Sequence, residues 1–414
     1  MTPDPNPPAV TFGGEGIAFP VVRSLDRAGV KSYAVGGSPA YNPIAYSRHC
    51  AGYTDLGSKE GVVDRWLDWL AGSAPRGAVL MPCNDDALDL IVRHRATLEG
   101  LGYVPVEADD EVLAAMLDKE RTYELARAAG VPTPRTWTIA SGSDLDDAIE
   151  EIGYPCALKP LHTHLFARVF GVGNKLLVAN DRRELEDGLN RMDAVGLEMA
   201  VTEIVPGPET ELLSYCGYLD ERGEPLTHFT FHKLRQYPPH FGLGCYVVSD
   251  WNEEVIEAGL RFLRGVGLRG LFHVEFKRDP RDGVLKLLEC NHRFTIEAMF
   301  APIDLPLLTY NRLLGRPLPP ARPYKSGIHL WNPVQDFRAF RFYRRRGELT
   351  FGRWLRSLLR VRRFHAFRWD DPLPTVRHHL TRLGGLLRRL AFGRRNVRRD
   401  ENVRRDDPLL ASGR

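Results

Sequence analysis

The stretch LKLLECNHRFTIEAM, residues 285–299, constrains the fold most, because its apolar beginning gives way to polar side chains at every second position. In a β-strand, side chains alternate between the two faces with a period of two residues. Five polar side chains would then share one face: Glu289, Asn291, Arg293, Thr295 and Glu297. A polar face rising from a buried strand must be solvated, paired or bound to a ligand. Two interpretations remain open here: a solvated edge strand with a Glu–Arg pair, and a site for a metal ion and a phosphate group.

The residues just before this stretch favour the second interpretation. HVEFKRDPRDGVLKLLECN predicts a β-hairpin that turns at Asp282-Gly283 and carries Glu275 on the strand next to Glu289. Two carboxylates opposed across a ladder repel each other unless a cation lies between them. Magnesium binds through one or two carboxylates plus substrate phosphates. We therefore predict Glu275, Glu289 and the amide oxygen of Asn291 as metal ligands, and Arg293 as a catalytic fork for a transferring phosphoryl group.

Bulk composition limits the class of protein. A chain of 414 residues with 43% hydrophobic and 26% charged residues is long enough for two or three globular domains. The formal net charge of +3 is too small to indicate a nucleic-acid partner, so we expect none. The six cysteines form no C-x-x-C pair, which argues against a disulfide framework or zinc site and fits a reducing cytoplasm. The N-terminal residues lack a signal-peptide pattern, and no stretch approaches the roughly 18 apolar residues of a membrane span. We expect a cytoplasmic protein.

Patterning along the chain divides it into four parts. Residues 1–110 alternate strand and helix patterns, which predicts an α/β domain with a parallel sheet. Gly14 and Gly16 are followed by Phe19, so the dinucleotide fingerprint G-x-G-x-x-G is broken there. Residues 111–200 and 201–320 read as two α+β subdomains, the second with the metal site. Residues 321–414 read as an Arg-rich helical extension that ends in a charged stretch with the composition of a disordered tail.

Two lysines are candidates for phosphate binding. Lys119 lies in a helical pattern, and Lys159 ends the apolar strand of CALKP. An unpaired ammonium in apolar surroundings is costly, and a triphosphate would compensate for it.

Three sequence elements in this order resemble the ATP-grasp superfamily over about residues 10–320. They are DK…ELARAAGVPTP…YPCALKP, then TEIVPGPE, and then E-x-N-x-R in LLECNHRF. The resemblance implies an ATP-grasp fold of mixed α/β and α+β type, behind an N-terminal parallel-sheet domain. It also implies ATP and Mg²⁺ as cofactors, with Mn²⁺ as the other candidate ion. The implied ATP-binding residues are Lys119, Lys159, Glu203 and Val205 at the adenine edge, and Glu209 at the ribose hydroxyls.

Within the superfamily, HKLRQYPPHFGLGCYVVSD is similar to the carboxylate–amine ligases, including the D-aspartate ligase-like group. The resemblance implies an enzyme that joins a small-molecule carboxylate and amine through an acyl phosphate, releasing ADP and phosphate. It assigns a catalytic role to Lys233 and substrate contacts to Arg235 and Gln236, although an ordinary loop is an equally weighted interpretation of this segment. His273, which shares the face of Glu275, and Glu297 are further substrate candidates.

Several alternatives remain open. The presence of Glu297 is compatible with a carboxylase-type enzyme that phosphorylates bicarbonate. The other alternative function is a non-catalytic ATP-binding module. The segment after Lys159 has few of the family's usual flap glycines and carries His162, His164 and Arg168 instead. Residues 336–363 mix arginine with aromatic and apolar residues. For that segment we favour a helical layer on the core over a peripheral membrane contact. The sequence does not indicate the oligomeric state.

Overall fold

The computed structural model describes residues 6–13, 16–38, 42–57, 61–139, 142–160, 176–194, 196 and 199–381. Within these residues three β-sheets follow one another along the chain: a four-stranded parallel sheet, a four-stranded antiparallel sheet and a seven-stranded mixed sheet. The flap residues His162, His164 and Arg168 and the tail 382–414 lie outside the described residues.

The N-terminal sheet is parallel in the order β3-β2-β1-β4, which confirms the predicted α/β domain. Its strands are β1 (Ala9–Phe12), β2 (Ser32–Gly36), β3 (Gly52–Asp55) and β4 (Val79–Pro82). Its helices are α1 (Ala18–Arg27), α2 (Val62–Gly72) and α3 (Asp85–Gly100), with a 3₁₀ helix at Pro43–Tyr46. Helix α1 buries Phe19, Val22 and Leu25, spaced three residues apart, on its inner face.

A capped turn fixes the end of β4 beside the start of α3. The side chain of Asn84 accepts a hydrogen bond from the amide of Ala87 (3.1 Å), which caps the helix. Gly13 faces this cap with φ +64°, and a Cβ there would lie 2.4 Å from Nδ2 of Asn84. Only glycine fits this close approach. The turn presents Asp85 toward the large sheet, where its carboxylate accepts a hydrogen bond from Arg293.

The small antiparallel sheet has the order β5-β8-β6-β7. Its strands are β5 (Thr136–Thr138), β6 (Cys156–Pro160), β7 (Leu177–Ala179) and β8 (Met199–Glu203), and its helices are α6 (Gly142–Ile152) and α7 (Arg182–Asp193). Helices α4 (Asp110–Leu117) and α5 (Lys119–Ala128) connect it to the N-terminal domain. Asp118 caps α5 by accepting from the amides of Glu120 and Arg121, which places Lys119 in the first turn.

The large sheet has the order β13-β12-β9-β10-β11-β14-β15. Its first five strands along the chain are β9 (Leu212–Leu219), β10 (Pro225–Tyr237), β11 (Leu243–Asp250), β12 (Gly270–Arg278) and β13 (Leu285–Asn291), and α8 (Glu253–Gly265) precedes β12. A 3₁₀ turn at Glu209–Glu211 leads into β9. The hairpin predicted around Asp282-Gly283 is confirmed, and β9 and β10 form a second antiparallel pair.

The chain beyond β13 returns to the same sheet. It forms a 3₁₀ helix (Ile296–Phe300), α9 (Leu305–Leu313), β14 (His329–Trp331), α10 (Pro333–Arg345), α11 (Phe351–Leu358) and β15 (Val361–Phe364), and residues 373–381 are helical. The extension, which the sequence predicts to be helical, also contains two short strands: β14 pairs with β11, and β15 pairs with β14. Strands of three and four residues are too short to show a periodic pattern in the sequence. Among the described helices, none has the length and apolarity needed to cross a membrane.

Candidate active site

The hairpin β12–β13 places two carboxylates side by side. Glu275 lies directly opposite Glu289 in the ladder, as the sequence predicts. Each carboxylate has a lysine nearby. Lys233 on β10 reaches Glu275 with Nζ–Oε distances of 2.8 and 3.0 Å, and Lys119 on α5 lies 3.9 Å from Oε2 of Glu289. The strand between β10 and β12 carries the small Ser214 opposite Glu275, which leaves room for the long side chain of Lys233.

Lys233 is a buried cation whose charge depends on this pairing, since its side chain is only 7% exposed. Burial alone would lower the pKa of Lys233, but the charge and hydrogen bonds of Glu275 outweigh it and raise the pKa. Lys233 therefore carries a positive charge at neutral pH and neutralises one of the two opposed carboxylates.

Asn291 and Arg293 extend the polar cluster beyond the hairpin. Nδ2 of Asn291 donates to Oε1 of Glu289 at 3.0 Å, so the two side chains are neighbours. The strand ends at Asn291, and the chain turns into a 3₁₀ helix at Ile296. The expectation that a single strand face runs from Glu289 to Glu297 is therefore wrong. The turn nevertheless brings Arg293 and Glu297 to the same cavity as Glu289.

This cavity has a volume of about 530 Å³ and opens between three parts of the chain. The large sheet and the turn that follows β13 line it with Lys233, His273, Glu275, Glu289, Asn291, Arg293 and Glu297. The N-terminal domain adds Asn84 and Asp85, and Asp85 accepts a hydrogen bond from Nε of Arg293. Burial alone would lower the pKa of Arg293. The nearby negative charges, above all that of Asp85, outweigh burial and raise the pKa. Arg293 is thus a fixed cation anchored across a domain boundary.

Sequence reasoning missed the third wall, which the C-terminal extension provides. Residues 332–335 at the start of α10 line the cavity, and so do His365, Thr375 and His378. The signal present in the sequence was Asn332-Pro333, because asparagine at the N-cap and proline at the first position mark a helix start. That pattern predicts a helix terminus but carries no information about the cavity that it faces.

His273 and Glu297 are buried in the wall beside Lys233. Nε2 of His273 lies 3.3 Å from Oγ of Ser214 and 3.8 Å from Oε1 of Glu275. Burial lowers the pKa of His273 and raises that of Glu297, because a desolvated group favours its neutral form. Glu297 is 8% exposed and so is poised to exchange a proton inside the cavity at a higher pH than an ordinary glutamate.

The residues expected at the adenine edge lie at the end of β8. The Glu203 carboxylate is buried and accepts hydrogen bonds from Arg135 (3.0 Å), Lys286 (3.0 Å) and Arg281. Burial alone would raise the pKa of Glu203, but these cations outweigh it and bring the pKa to about 2. The carbonyl oxygen of Val205 accepts from Nζ of Lys277 at 2.8 Å. These bonds fix the segment between the small antiparallel sheet and the large sheet.

Glu209, expected at the ribose, is bound to the C-terminal extension. Its Oε1 accepts from the hydroxyl of Tyr343 on α10 (2.8 Å) and from the amide of His240 (3.1 Å), whose ring Nδ1 lies 3.2 Å away. Burial works against ionisation, but the His240 and Tyr343 hydrogen bonds lower the pKa of Glu209 to about 2. Glu209 is therefore an anion that ties α10 to this segment.

Arg235 and Gln236 are not brought to the cavity. Both are buried, and Arg235 binds Asp336 of α10 through Nε (2.5 Å) and Nη2 (3.1 Å). Register shifts on both sides of Arg235 interrupt the regular pairing of β10 with β11. Lys159 lies on β6 opposite Ala200 and is partly buried. Lys159 belongs to the small sheet, whereas Lys119 reaches the carboxylate pair.

Comparison with known proteins identifies the fold and the relatives. The chain is 26% identical over 251 residues to the D-aspartate ligase of Enterococcus faecium, covering 58% of this chain and 59% of that protein. It is 39% identical over 206 residues to the D-alanine–D-alanine ligase of Chromohalobacter salexigens, covering 48% and 62%. The chain thus spans about three fifths of the length of these relatives. No family model matches it.

Solved structures show a similar fold. The biotin carboxylase domain of Hydrogenobacter thermophilus 2-oxoglutarate carboxylase, solved with MgADP, ADP and bicarbonate, has a TM-score of 0.59 at 18% identity and covers 77% of this chain and 73% of its own. An ADP complex of N5-carboxyaminoimidazole ribonucleotide synthetase also has a TM-score of 0.59, at 15% identity, and covers 79% and 82%. The chain therefore has the ATP-grasp fold, and its sequence resembles those of ATP-grasp ligases. The predicted ATP-grasp fold, and the resemblance to its carboxylate–amine ligases, are confirmed.

Proposed function

We propose that this ATP-grasp protein is an ATP-dependent carboxylate–amine ligase. A carboxylate oxygen of the first substrate attacks the γ-phosphorus of ATP, and ADP leaves. The amine nitrogen of the second substrate then attacks the acyl carbon, phosphate leaves, and the nitrogen loses a proton to give an amide. The cavity, which three parts of the chain line, would limit the access of water to the acyl phosphate.

One observation carries this proposal: the Glu275–Glu289 pair lies with Asn291, Lys233 and Arg293 around one cavity, and Lys119 lies 3.9 Å from Glu289. Lys119, Lys233 and Arg293 approach this pair from three different elements. A binding module needs charge complementarity to ATP but has no need of opposed carboxylates. Phosphoryl transfer needs both, because charge develops on the transferring group and has to be stabilised by fixed charges.

The donor set fits Mg²⁺. Two carboxylates and one amide oxygen are the hard ligands that this ion takes when phosphates complete its coordination. Within the described residues no cluster of three or more His, Cys, Asp or Glu side chains is arranged to hold a metal ion, so an all-protein cage is not offered there. Glu275, Glu289 and the oxygen of Asn291 would hold the ion, which would neutralise negative charge on the phosphates of ATP. Asn291 would have to turn its amide, since Nδ2 now faces Glu289.

The proposed nucleotide contacts follow the segment from Lys119 to Glu209. Lys119 and Lys159 would bind phosphate oxygens, and the backbone at Glu203 and Val205 would border the adenine. Glu209 would accept hydrogen bonds from the ribose hydroxyls. Its observed hydrogen bonds from Tyr343 and His240 all go to Oε1. Tyr343 would then position Glu209 for the ribose, which gives α10 a part in nucleotide binding.

Glu297 supports a second candidate. A buried carboxyl whose pKa is raised could take a proton from bicarbonate, and Glu297 faces the cavity that holds Lys233 and Arg293. In the ligase, the same group would accept the proton that the attacking amine loses. The proposed carboxylase and the proposed ligase would therefore use the same residues and differ mainly in their substrates.

A screen for ADP release tests both candidates. The full chain is incubated with ATP and Mg²⁺, and with bicarbonate alone or with pairs of amino acids and amines. The ligase predicts ADP release that requires both a carboxylate and an amine, together with a condensed product in mass spectra. Release with bicarbonate alone would favour the carboxylase. Nucleotide binding without turnover over a broad panel would favour a non-catalytic module.

A further inference from the structure

A second, larger cavity is lined in part by β15. Its volume is about 1080 Å³, and it opens between α1, the segment after the 3₁₀ helix Ile296–Phe300, and the C-terminal extension. The two cavities share only Phe364 and Phe367 in their walls. Seven cationic side chains line the second cavity, against the two carboxylates of Asp304 and Asp370. We call it the arginine groove.

Three of the seven cations have carboxylate partners. Arg23 binds Asp371 at 2.8 Å, behind the wall. Arg368 binds Asp370 at 2.7 Å, and Arg27 lies 3.6 Å from the same carboxylate. Seven cations thus face three carboxylates when Asp371 is added to Asp304 and Asp370, so the groove has an excess of four positive charges.

The four remaining cations are Arg322, Lys325, Arg362 and Arg363. Within the part of the chain that the structure describes, none of the four has a carboxylate within ion-pair distance. The contact of Arg363 is with a neutral group, since Nη1 donates to the carbonyl oxygen of Met299 at 3.0 Å. Partial burial and the charges of Arg368 and Arg322 lower the pKa of Arg363. Like charges gathered in a concave wall destabilise the fold unless an anion compensates for them.

We propose that the arginine groove binds a phosphate-bearing ligand. Guanidinium groups present planar, two-pronged donors that match phosphate oxygens, and lysine adds a point charge. An excess of four positive charges suits a multiply charged anion, such as a diphosphate group, better than a single carboxylate. The rim carries Trp369, which is 89% exposed and offers a face for an apolar or aromatic part of the ligand.

The same phosphate chemistry is offered by a soluble diphosphate and by an anionic phospholipid headgroup, so the experiment has two arms. The first measures binding of inorganic pyrophosphate, in EDTA, by calorimetry and by the change in tryptophan fluorescence. The second measures co-sedimentation with phosphatidylcholine vesicles, with and without phosphatidylglycerol. Each arm uses the full chain and is repeated at rising salt, because counterion-sensitive binding weakens with ionic strength.

The test variant is Arg322→Gln/Arg363→Gln. A second variant, Arg322→Gln/Lys325→Gln, replaces only exposed side chains and guards against misfolding. The matched control, Arg183→Gln/Arg261→Gln, removes the same charge from exposed positions on α7 and α8. None of these residues lines the proposed active site.

We expect both groove variants to weaken pyrophosphate binding at least tenfold, and the control to stay within twofold of the unaltered chain. Loss of phosphatidylglycerol-dependent sedimentation in the groove variants, without any pyrophosphate binding, would identify a lipid headgroup as the source of the phosphate. Pyrophosphate binding that is equal in all variants would place the anion elsewhere, for instance at the nucleotide site, and would overturn the proposal. Absence of binding in both arms would overturn it as well.

Discussion

Replacing Asp336 by asparagine should strongly destabilise the attachment of the C-terminal extension to the sheet. Asp336 is fully buried and accepts hydrogen bonds from Sγ of Cys245 (3.8 Å) and from four N–H donors. Arg235 supplies two of them, at 2.5 and 3.1 Å, and the indoles of Trp331 (2.9 Å) and Trp354 (2.8 Å) supply the others. Asparagine keeps the shape but loses the charge and turns an N–H group toward one of these donors. Breaking a buried ion pair in this way costs about 3–5 kcal/mol of unfolding free energy.

A double-mutant cycle separates this charge pairing from general disruption. Arg235→Met removes the cation, and Arg235→Met/Asp336→Asn leaves a neutral acceptor for the two indoles. The double variant should cost about 2 kcal/mol less than the sum of the singles, since residues in one network couple by about 0.5–3 kcal/mol. Urea unfolding followed by tryptophan fluorescence is a suitable assay, because Trp331 and Trp354 report on the network itself. If the loss of unfolding free energy in the double variant equals the sum of the two single losses within about 0.5 kcal/mol, the reasoning is refuted.

Two further predictions concern the segment from Lys119 to Glu209, which we propose to bind the nucleotide. Lys159→Met should weaken ATP binding by about 1.5–3 kcal/mol, the range for a hydrogen bond to a charged group, and calorimetry showing unchanged affinity would remove Lys159 from the site. The pKa of Glu203 falls from 4.5 to about 2 in the fold, so its ionisation stabilises the protein fully above pH 4.5, and this contribution is lost as the pH falls toward 2. Glu203→Gln should therefore lower the unfolding free energy at pH 7 by about 3 kcal/mol and flatten its pH dependence between pH 4.5 and 2. Denaturant titrations at pH 6 and pH 3.5 that give the same loss in stability would contradict this.

Local patterns in the sequence were sufficient to predict the hairpin and its two carboxylates. Strand patterns in HVEF and LLEC, with an Asp-Gly turn between them, predict the hairpin, and a register shift next to Glu275 brings this residue opposite Glu289 rather than Leu288. The N-terminal parallel sheet was predictable for the same reason, because strand and helix periods alternate there at regular intervals.

Contacts between distant segments could not be predicted in this way. Lys233 meets Glu275 across an intervening strand, and Arg293 meets Asp85 across a domain boundary. Arg235 pairs with Asp336 beside register shifts in β10, and a single sequence gives no signal for such an irregularity. The C-terminal extension was read as helical because its strands are too short to set a period against the arginine-rich background.

Trapping of an acyl phosphate with hydroxylamine tests the central claim most directly. With an active carboxylate from the ADP-release screen, the unaltered chain should form a hydroxamate that depends on ATP and Mg²⁺ and needs no other amine. Glu289→Gln should abolish trapping, because an amide cannot supply the negative charge that the cation requires. Arg293→Lys should lower the rate about a hundredfold to a thousandfold, since an ammonium cannot replace the guanidinium fork. Undiminished hydroxamate formation by a folded Glu289→Gln variant would contradict the account and return this strand to a solvated polar edge.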